Sequence, residues 1–347
     1  MPQIVLADNG ILFDGKSIEE GPLGGVESSV INLTNELARL GHEVYVLNNC
    51  LKPHDYRGVH WRPIASHEWP KDTDLYIANR GDKLISAMPS ARRTVFWVHN
   101  PANYLIKWRY LTKLWRIRPT IIFIGHVHKK TYPMWAPSGG RVVIPYGLSE
   151  DFCTGSRITT APGPRAIFTS NPLRSLDWLL NLWAEQIQPR VPNAELHLFT
   201  GTATYGEVGT EKADPMERII TKAKDMVAQG VIVRGAVSKA QLVEEFHSAR
   251  CMLYRGDVNE TFCLALGEAQ AMGVPAVVQD LGSVIERVVD EETGFIRPTD
   301  RGFADAAVEL LSNDALWEKQ HVAALKLQRS WRWKDAARAF EALIPRR

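Results

Sequence analysis

The chain has 347 residues, 45% of them apolar and 23% charged, which is enough for about two domains with a core each and excludes disordered or low-complexity architectures. Its formal charge is +2, from 41 Lys/Arg against 39 Asp/Glu; this gives no overall pull toward nucleic acid, and no apolar run approaches the roughly 20 residues that span a bilayer. Cys50, Cys153, Cys251 and Cys263 show no CxxC spacing, which argues against a structural zinc site or disulfide framework and fits a reducing cytoplasm.

The opening, MPQIVLADNG, lacks the basic start and long apolar stretch of a signal peptide and reads as a first buried strand over 4–7. Further strands are predicted over 44–47, 75–78, 95–98, 121–124 and 142–144, with helical patterns between them. The clearest helix covers 26–40, with Gly41 as its left-handed terminator. Residues 149–164, rich in Ser, Thr, Gly and Pro, read as a linker. A second series of strands follows over 166–169, 195–199, 231–233, 251–254, 276–278 and 295–296, and residues 330–345 form a last helix with Trp331 and Trp333 at its start. The alternation predicts an α/β protein of two doubly wound, Rossmann-like domains, 1–150 and 151–329, followed by a terminal helix over 330–347. Such domains hold ligands at the carboxyl ends of their strands, so two that face each other would share a cleft.

Charge is unevenly spread. Between Lys83 and Ser149 there are eleven Lys/Arg and no acid in 67 residues, which points to an anionic surface or partner.

Two motifs carry the chemistry. Gly21-Pro22-Leu23-Gly24-Gly25-Val26-Glu27 opens the first long helix. Gly24 and Gly25 let a ligand approach N–H groups at the positive end of that helix, which suits a phosphate or a developing anion. The loop is not a GxGxxG fingerprint and no Walker lysine follows it. The more specific motif runs from Glu260 through Thr261, Phe262 and Cys263 to Glu268, Gly273 and Pro275. Its glutamates stand eight apart, one before a helix and one two turns inside it. The first-turn N–H groups around Thr261, Phe262 and Cys263 would take a phosphate, Glu268 both hydroxyls of a ribose, and Glu260 a sugar hydroxyl. Glu268 sits among Leu264, Leu266, Ala269 and Ala271, where a charge needs a partner.

With these residues the chain resembles glycosyltransferase family 4. Glu260 and Glu268 match the family's spaced glutamates, Gly24, Gly25 and Glu27 its Gly-Gly-x-Glu loop, and Ile144 to Gly147 its Ile-Pro-x-Gly. The segment GSVIERVVDEETGFIRP, starting at Gly282, also matches. The resemblance runs nearly end to end and is most specific over 231–298. It implies the GT-B fold, a nucleotide-sugar donor as co-substrate with no other cofactor, anomeric retention, no metal, and a last helix that returns to the first domain.

It also implies roles for further residues. His99, in Val95-Phe96-Trp97-Val98-His99-Asn100-Pro101, stands where members of the family place a histidine beside the donor sugar. In Ser170-Asn171-Pro172-Leu173-Arg174-Ser175 the family usually has an arginine and then a lysine for the diphosphate; Arg174 takes the lysine position, and Thr169 or Ser170 stands where the arginine is expected. Arg255 is a candidate replacement for the missing cation. The expected set is therefore His99, Glu260 and Arg174 at the chemistry, with Gly24, Gly25, Thr261, Phe262, Cys263, Glu268 and Arg255 holding the donor.

Other signals are set aside. Asp72-Thr73-Asp74 looks like a metal-binding DxD but only leads into a strand, His126-Val127-His128 has no nearby acid or cysteine, and Glu291-Glu292 reads as a solvated turn. Residues 104–118, from Tyr104 to Arg118, read as a basic, aromatic, amphipathic helix able to lie in an anionic membrane interface. Tyr104, Trp108, Leu111 and Trp115 share one face, with Ile106, Tyr110, Leu114 and Ile117 beside them. The expectation is a retaining, metal-independent hexosyltransferase that moves a sugar from a UDP- or GDP-linked donor to a glycan or lipid-linked acceptor in cell-envelope polysaccharide synthesis. It would be cytoplasmic or peripheral on the inner face of the membrane, with no nucleic-acid partner. The alternatives are a GT-B sugar-nucleotide epimerase and a non-catalytic nucleotide-sugar-binding protein.

Overall fold

A computed structural model describes every residue except Pro22, His67, Ser156, residues 202–212 and Arg347, and leaves out the side chain of Ala213. The chain forms two compact units: Met1–Gly147 with Arg332–Arg347, and Leu148–Trp331.

The first unit is built on strands β1 (Gln3–Asp8), β2 (Glu43–Asn48), β3 (His54–Tyr56), β4 (Val59–Pro63), β5 (Leu75–Asn79), β6 (Thr94–Trp97), β7 (Thr120–Phe123) and β8 (Gly140–Val143). They lie in the order β3-β4-β2-β1-β5-β6-β7-β8, and only β3 runs antiparallel. Ile4 to Ala7, Leu75 to Ala78 and Val95 to Trp97 are buried on both faces, as expected for parallel strands covered by helices. The hairpin of β3 and β4 was not legible in the sequence. His54-Asp55-Tyr56 is polar, and the turn is made by Arg57 and Gly58, both at positive φ (50° and 79°), without the usual Asn-Gly or Asp-Gly signal. The Gly25–Arg39 helix buries Val30, Ile31, Leu33 and Leu37, and Gly41 ends it at φ 90°. The Trp333–Glu341 helix packs in this same unit, with Phe340 edge-on to Trp97 at 5.3 Å and Glu341 2.9 Å from His42.

The second unit carries β9 (Arg165–Phe168), β10 (Glu195–Leu198), β11 (Val231–Val233), β12 (Cys251–Leu253), β13 (Ala276–Val278) and β14 (Gly294–Ile296). All are parallel, in the order β11-β10-β9-β12-β13-β14. Chain direction across the sheet reverses between β1 and β5 in the first unit and between β9 and β12 in the second. The carboxyl ends of these strands are therefore the two places where the topology opens a crevice.

Candidate active site

At the switch point of the second sheet, the loop after β9 carries Arg174. Asn171 holds this loop by accepting from the Leu173 and Arg174 N–H groups through its side chain and carbonyl, both at 2.8 Å. Ser175 then adopts φ 62° and starts the Leu176–Leu182 helix. The loop after β12 supplies the other side. Arg174 Nη1 lies 3.0 Å from Asp257 Oδ1 and 3.7 Å from Glu260 Oε2, and the Tyr254 hydroxyl donates to Glu260 Oε2 at 2.8 Å. Burial opposes the charge on Arg174, but Glu260, Tyr254 and Asp257 outweigh it and raise the pKa of the guanidinium. Sequence reasoning singled out Arg174 and Glu260; it missed Asp257 and Tyr254, which have no motif of their own.

Helix Leu264–Ala271 begins later than the sequence suggested. Cys263 is its N-cap, at φ 63°, so the unpaired first-turn N–H groups belong to Leu264 and Ala265 rather than to Phe262 and Cys263. Thr261, Phe262 and Cys263 are themselves buried, and burial raises the Cys263 thiol well above its ordinary pKa. Of the six left-handed non-glycine residues among those described, three, Ser175, Cys263 and Arg80, adjoin these crevices. Glu268 is 6% exposed, and its partner is Lys239, which donates to both carboxylate oxygens at 2.5 and 2.7 Å. Lys239 opens the Lys239–His247 helix and went unrecognised in the sequence. Arg255 does not join Arg174: its Nε donates to Gln279 at 2.8 Å, and its guanidinium lies over Trp178 at 4.9 Å.

The first unit has a similar cluster at its own switch point. Asp8 ends β1, Asn79 ends β5, and Arg80 follows at φ 51°. Arg80 donates to both oxygens of Asp8 at 3.0 Å and to Glu27 at 2.9 Å. Glu27 thereby occupies the start of the Gly25–Arg39 helix, where the sequence suggested an incoming anion. A Cβ on Gly24 would crowd the tip of the Glu27 side chain, and Gly25 is the first residue of the helix. Asn79 Nδ2 donates to Asp8, so Asn79 Oδ1 faces His99 Nε2 and that nitrogen carries the proton. Burial holds the pKa of His99 well below its ordinary value, with the charges of Arg80 and His128 adding to the effect. The neutral ring then accepts from the Tyr146 hydroxyl at Nδ1. Both ring nitrogens are bonded within the unit, and His99 is 4% exposed, so it supports this network rather than presenting a free edge. Asp8, Asn79 and Arg80 could have been noticed as polar residues closing all-apolar strands.

The rejected signals fall elsewhere. Asp74 bonds the Gln3 N–H and Arg92 before β5, at the amino end of the sheet, away from the crevice. His128 bonds the Ile124 N–H and the Asn100 carbonyl. Among the described residues no group of three or more His, Cys, Asp or Glu is gathered around a metal position.

Residues 164–313 match the family described as "Glycosyl transferases group 1". The chain is similar to a lipopolysaccharide 1,2-N-acetylglucosaminetransferase of Salmonella typhimurium, 20% identical over 64% of this chain and 66%, just under two thirds, of that relative. It is also similar to a GDP-mannose-dependent alpha-mannosyltransferase of Mycobacterium tuberculosis, 23% identical over 80% of each chain. Among solved structures, sucrose-phosphate synthase from Thermosynechococcus elongatus superposes with a TM-score of 0.74, at 16% identity over 99% of this chain and 98% of that one. These comparisons agree with the paired doubly wound sheets.

Proposed function

We propose that this chain, a glycosyltransferase of the GT-B fold whose residues 164–313 belong to the group 1 family, moves a sugar from a UDP- or GDP-linked donor to a glycan or lipid-linked acceptor with retention at the anomeric carbon. The observation that carries this reading is the cluster at the β9–β12 switch point: Arg174 held by Asp257 and Glu260, with Glu268 eight residues beyond Glu260 on the following helix. Backbone N–H groups at the start of Leu264–Ala271, together with Arg174, stabilise the diphosphate as the bond from the anomeric carbon to phosphate oxygen breaks. The acceptor oxygen attacks the oxocarbenium-like centre on the leaving-group side, and its proton leaves with the diphosphate. Glu268 holds the ribose and Glu260 a sugar hydroxyl, while His99 acts through its neighbours. The reaction proceeds without a bound metal.

The two relatives, named for an N-acetylglucosamine transfer to lipopolysaccharide and for a mannosyl transfer, support an envelope glycan or lipid-linked acceptor. The acid-free basic segment supports work at the inner face of a membrane; among the described residues no helix is long and apolar enough to cross one. The deciding experiment incubates the chain with a panel of nucleotide-sugars, with and without envelope lipid and glycan acceptors, and follows the anomeric proton by NMR. Transfer with the donor's anomeric configuration kept is expected. Inversion at the anomeric carbon, epimerised donor formed without acceptor, or tight binding with no turnover would each overturn the reading, the last two in favour of an epimerase or a binding protein.

A further inference from the structure

The basic segment of the first unit differs from the single amphipathic helix that its sequence suggested. Residues Ala102–Ile106 form a 3-10 turn, Lys107 is extended at φ −61° and ψ 138°, and the α-helix covers only Trp108–Ile117. Its inner face is already used: Tyr110 and Leu114 are buried in one apolar core with Phe96, Ile121 and Phe123, and Tyr104 and Ile117 pack against that core. At 100° per residue, Trp108 and Trp115 lie on the opposite side, and they are 77% and 74% exposed. Nothing within the fold requires two tryptophans there.

A second segment adds to this face. Met134 and Trp135 are 88% and 69% exposed, in the turn that leads to β8. Tyr132 and Ala136 on either side of them are buried in the same apolar core as Tyr110 and Leu114, so both segments cover one side of the sheet. The two are tied together where the Gly139 N–H donates to the Pro119 carbonyl at 2.9 Å, just beyond the end of the tryptophan-bearing helix. The turn is also braced. Arg141 Nη2 donates to the carbonyls of Pro133 (2.7 Å), Met134 (3.1 Å) and Ala136 (2.7 Å), and its guanidinium lies over the Tyr132 ring at 4.6 Å. One arginine thus gathers three carbonyls of a four-residue stretch, which fixes the backbone while the side chains of Met134 and Trp135 stay in water. Trp108, Trp115 and Trp135 are the three strongly exposed tryptophans among the described residues.

Cations flank these apolar side chains along the sequence. Lys107, Arg109, Arg116, Arg118 and Lys130 are exposed, and Lys113 is paired with Asp82 at 2.7 Å. Lys113 is therefore partly neutralised, which the sequence did not show. We propose that Trp108 and Trp115 on the helix and Met134 and Trp135 on the braced turn form a two-segment surface that inserts into the interface of an anionic lipid bilayer. Tryptophan is suited to that interface, where its ring enters the apolar layer and its N–H stays wet. Cations at the rim meet anionic headgroups, each worth about fivefold in binding. A second copy of the chain is disfavoured as occupant because a two-fold contact would bring the same cations together.

This inference rests on the membrane reading above, and the test separates the two. The full chain is floated with phosphatidylcholine vesicles, with and without phosphatidylglycerol, and sedimented alone and with a single-stranded oligonucleotide. The variants are Trp108→Ser with Trp115→Ser, Met134→Ser with Trp135→Ser, and, as a control in exposed apolar side chains elsewhere, Leu51→Ser with Val227→Ser. All six side chains are largely in water, so melting temperatures should stay close to wild type. Expected are binding that needs the anionic lipid, a loss of about tenfold or more in each patch variant, and no loss in the control. If the wild type floats and both patch variants float as well, the patch is wrong and the membrane reading stands. If the wild type does not float, both fall. Self-association or oligonucleotide binding that the patch variants lose, in a chain that ignores vesicles, would assign the surface to that partner instead.

Discussion

Arg174 Nη1 lies 3.0 Å from Asp257 Oδ1, so the cation expected to meet the donor's diphosphate is already engaged by a carboxylate of its own chain. Arg80 in the first unit is held in the same way by Asp8 and Glu27. In both clusters two carboxylates face one guanidinium, which leaves a net negative charge. A diphosphate arriving at Arg174 must compete with Asp257. Asp257→Asn is therefore expected to tighten nucleoside diphosphate binding about fivefold, or about 1 kcal/mol for one partly exposed competing charge. Arg174→Ala should weaken it by about 1.5–3 kcal/mol. Calorimetry with UDP and GDP reads both, and weaker binding by Asp257→Asn would instead make that residue part of the ligand-holding set.

Glu268 is buried and Lys239 satisfies both of its oxygens, so ribose hydroxyls must share the carboxylate with that lysine. Glu268→Gln should weaken the nucleoside diphosphate by roughly 1–3 kcal/mol, because an amide cannot accept from two hydroxyls and an ammonium. Lys239→Met should lower stability by about 1–2 kcal/mol, less than for a fully buried pair because the lysine side chain is 38% exposed. Denaturant unfolding and nucleotide titration on the same samples separate the effects. Unchanged affinity in a folded Glu268→Gln protein rules out the ribose role.

Amides and arginine are proposed to replace a metal at the diphosphate, so transfer should survive EDTA. Asp72→Asn and Asp74→Asn should leave turnover unchanged, because Asp74 is spent on Arg92 and the Gln3 N–H at the far end of the sheet. Complete loss on chelation, restored by magnesium or manganese, would falsify the metal-free mechanism.

His99 is neutral in the fold because burial depresses its pKa, so the folded chain resists a proton that the unfolded chain binds near pH 6.5. Stability from this source is constant above about pH 6.5 and falls below it, by about 1.4 kcal/mol per pH unit for one such histidine. His197 and His321, both lowered mainly by burial, add their own share in the second unit and are untouched by changes at position 99. His99→Asn should reduce proton uptake on unfolding by about half a proton at pH 6.5, rising to about 0.9 at pH 5.5, whereas Tyr146→Phe, which keeps the imidazole, should leave most of it. Denaturant midpoints across that range test this, and an unchanged slope in folded His99→Asn counts against a buried neutral ring.

The alternation of apolar strands and helices can be read from the chain alone, because strands such as Ile4 to Ala7 are buried on both faces and leave no polar positions to confuse the pattern. Glu260 and Glu268 could be singled out by their spacing around one helix, and Arg174 only through the family resemblance, because its neighbours Asp257 and Glu260 are far away in sequence. The β3–β4 hairpin stayed hidden because edge strands need no apolar run and its Arg57-Gly58 turn is atypical. The helix at Leu264 was placed too early because the left-handed Cys263 has no compositional signature. Long-range packing chose the partners: Lys239 for Glu268, 29 residues away; Glu27 for Arg80, 53 away; Asn79 and Tyr146 for His99, 20 and 47 away. Sheet order brings such residues to one strand end, and sheet order follows from burying both faces of the whole sheet, a condition that no local segment encodes.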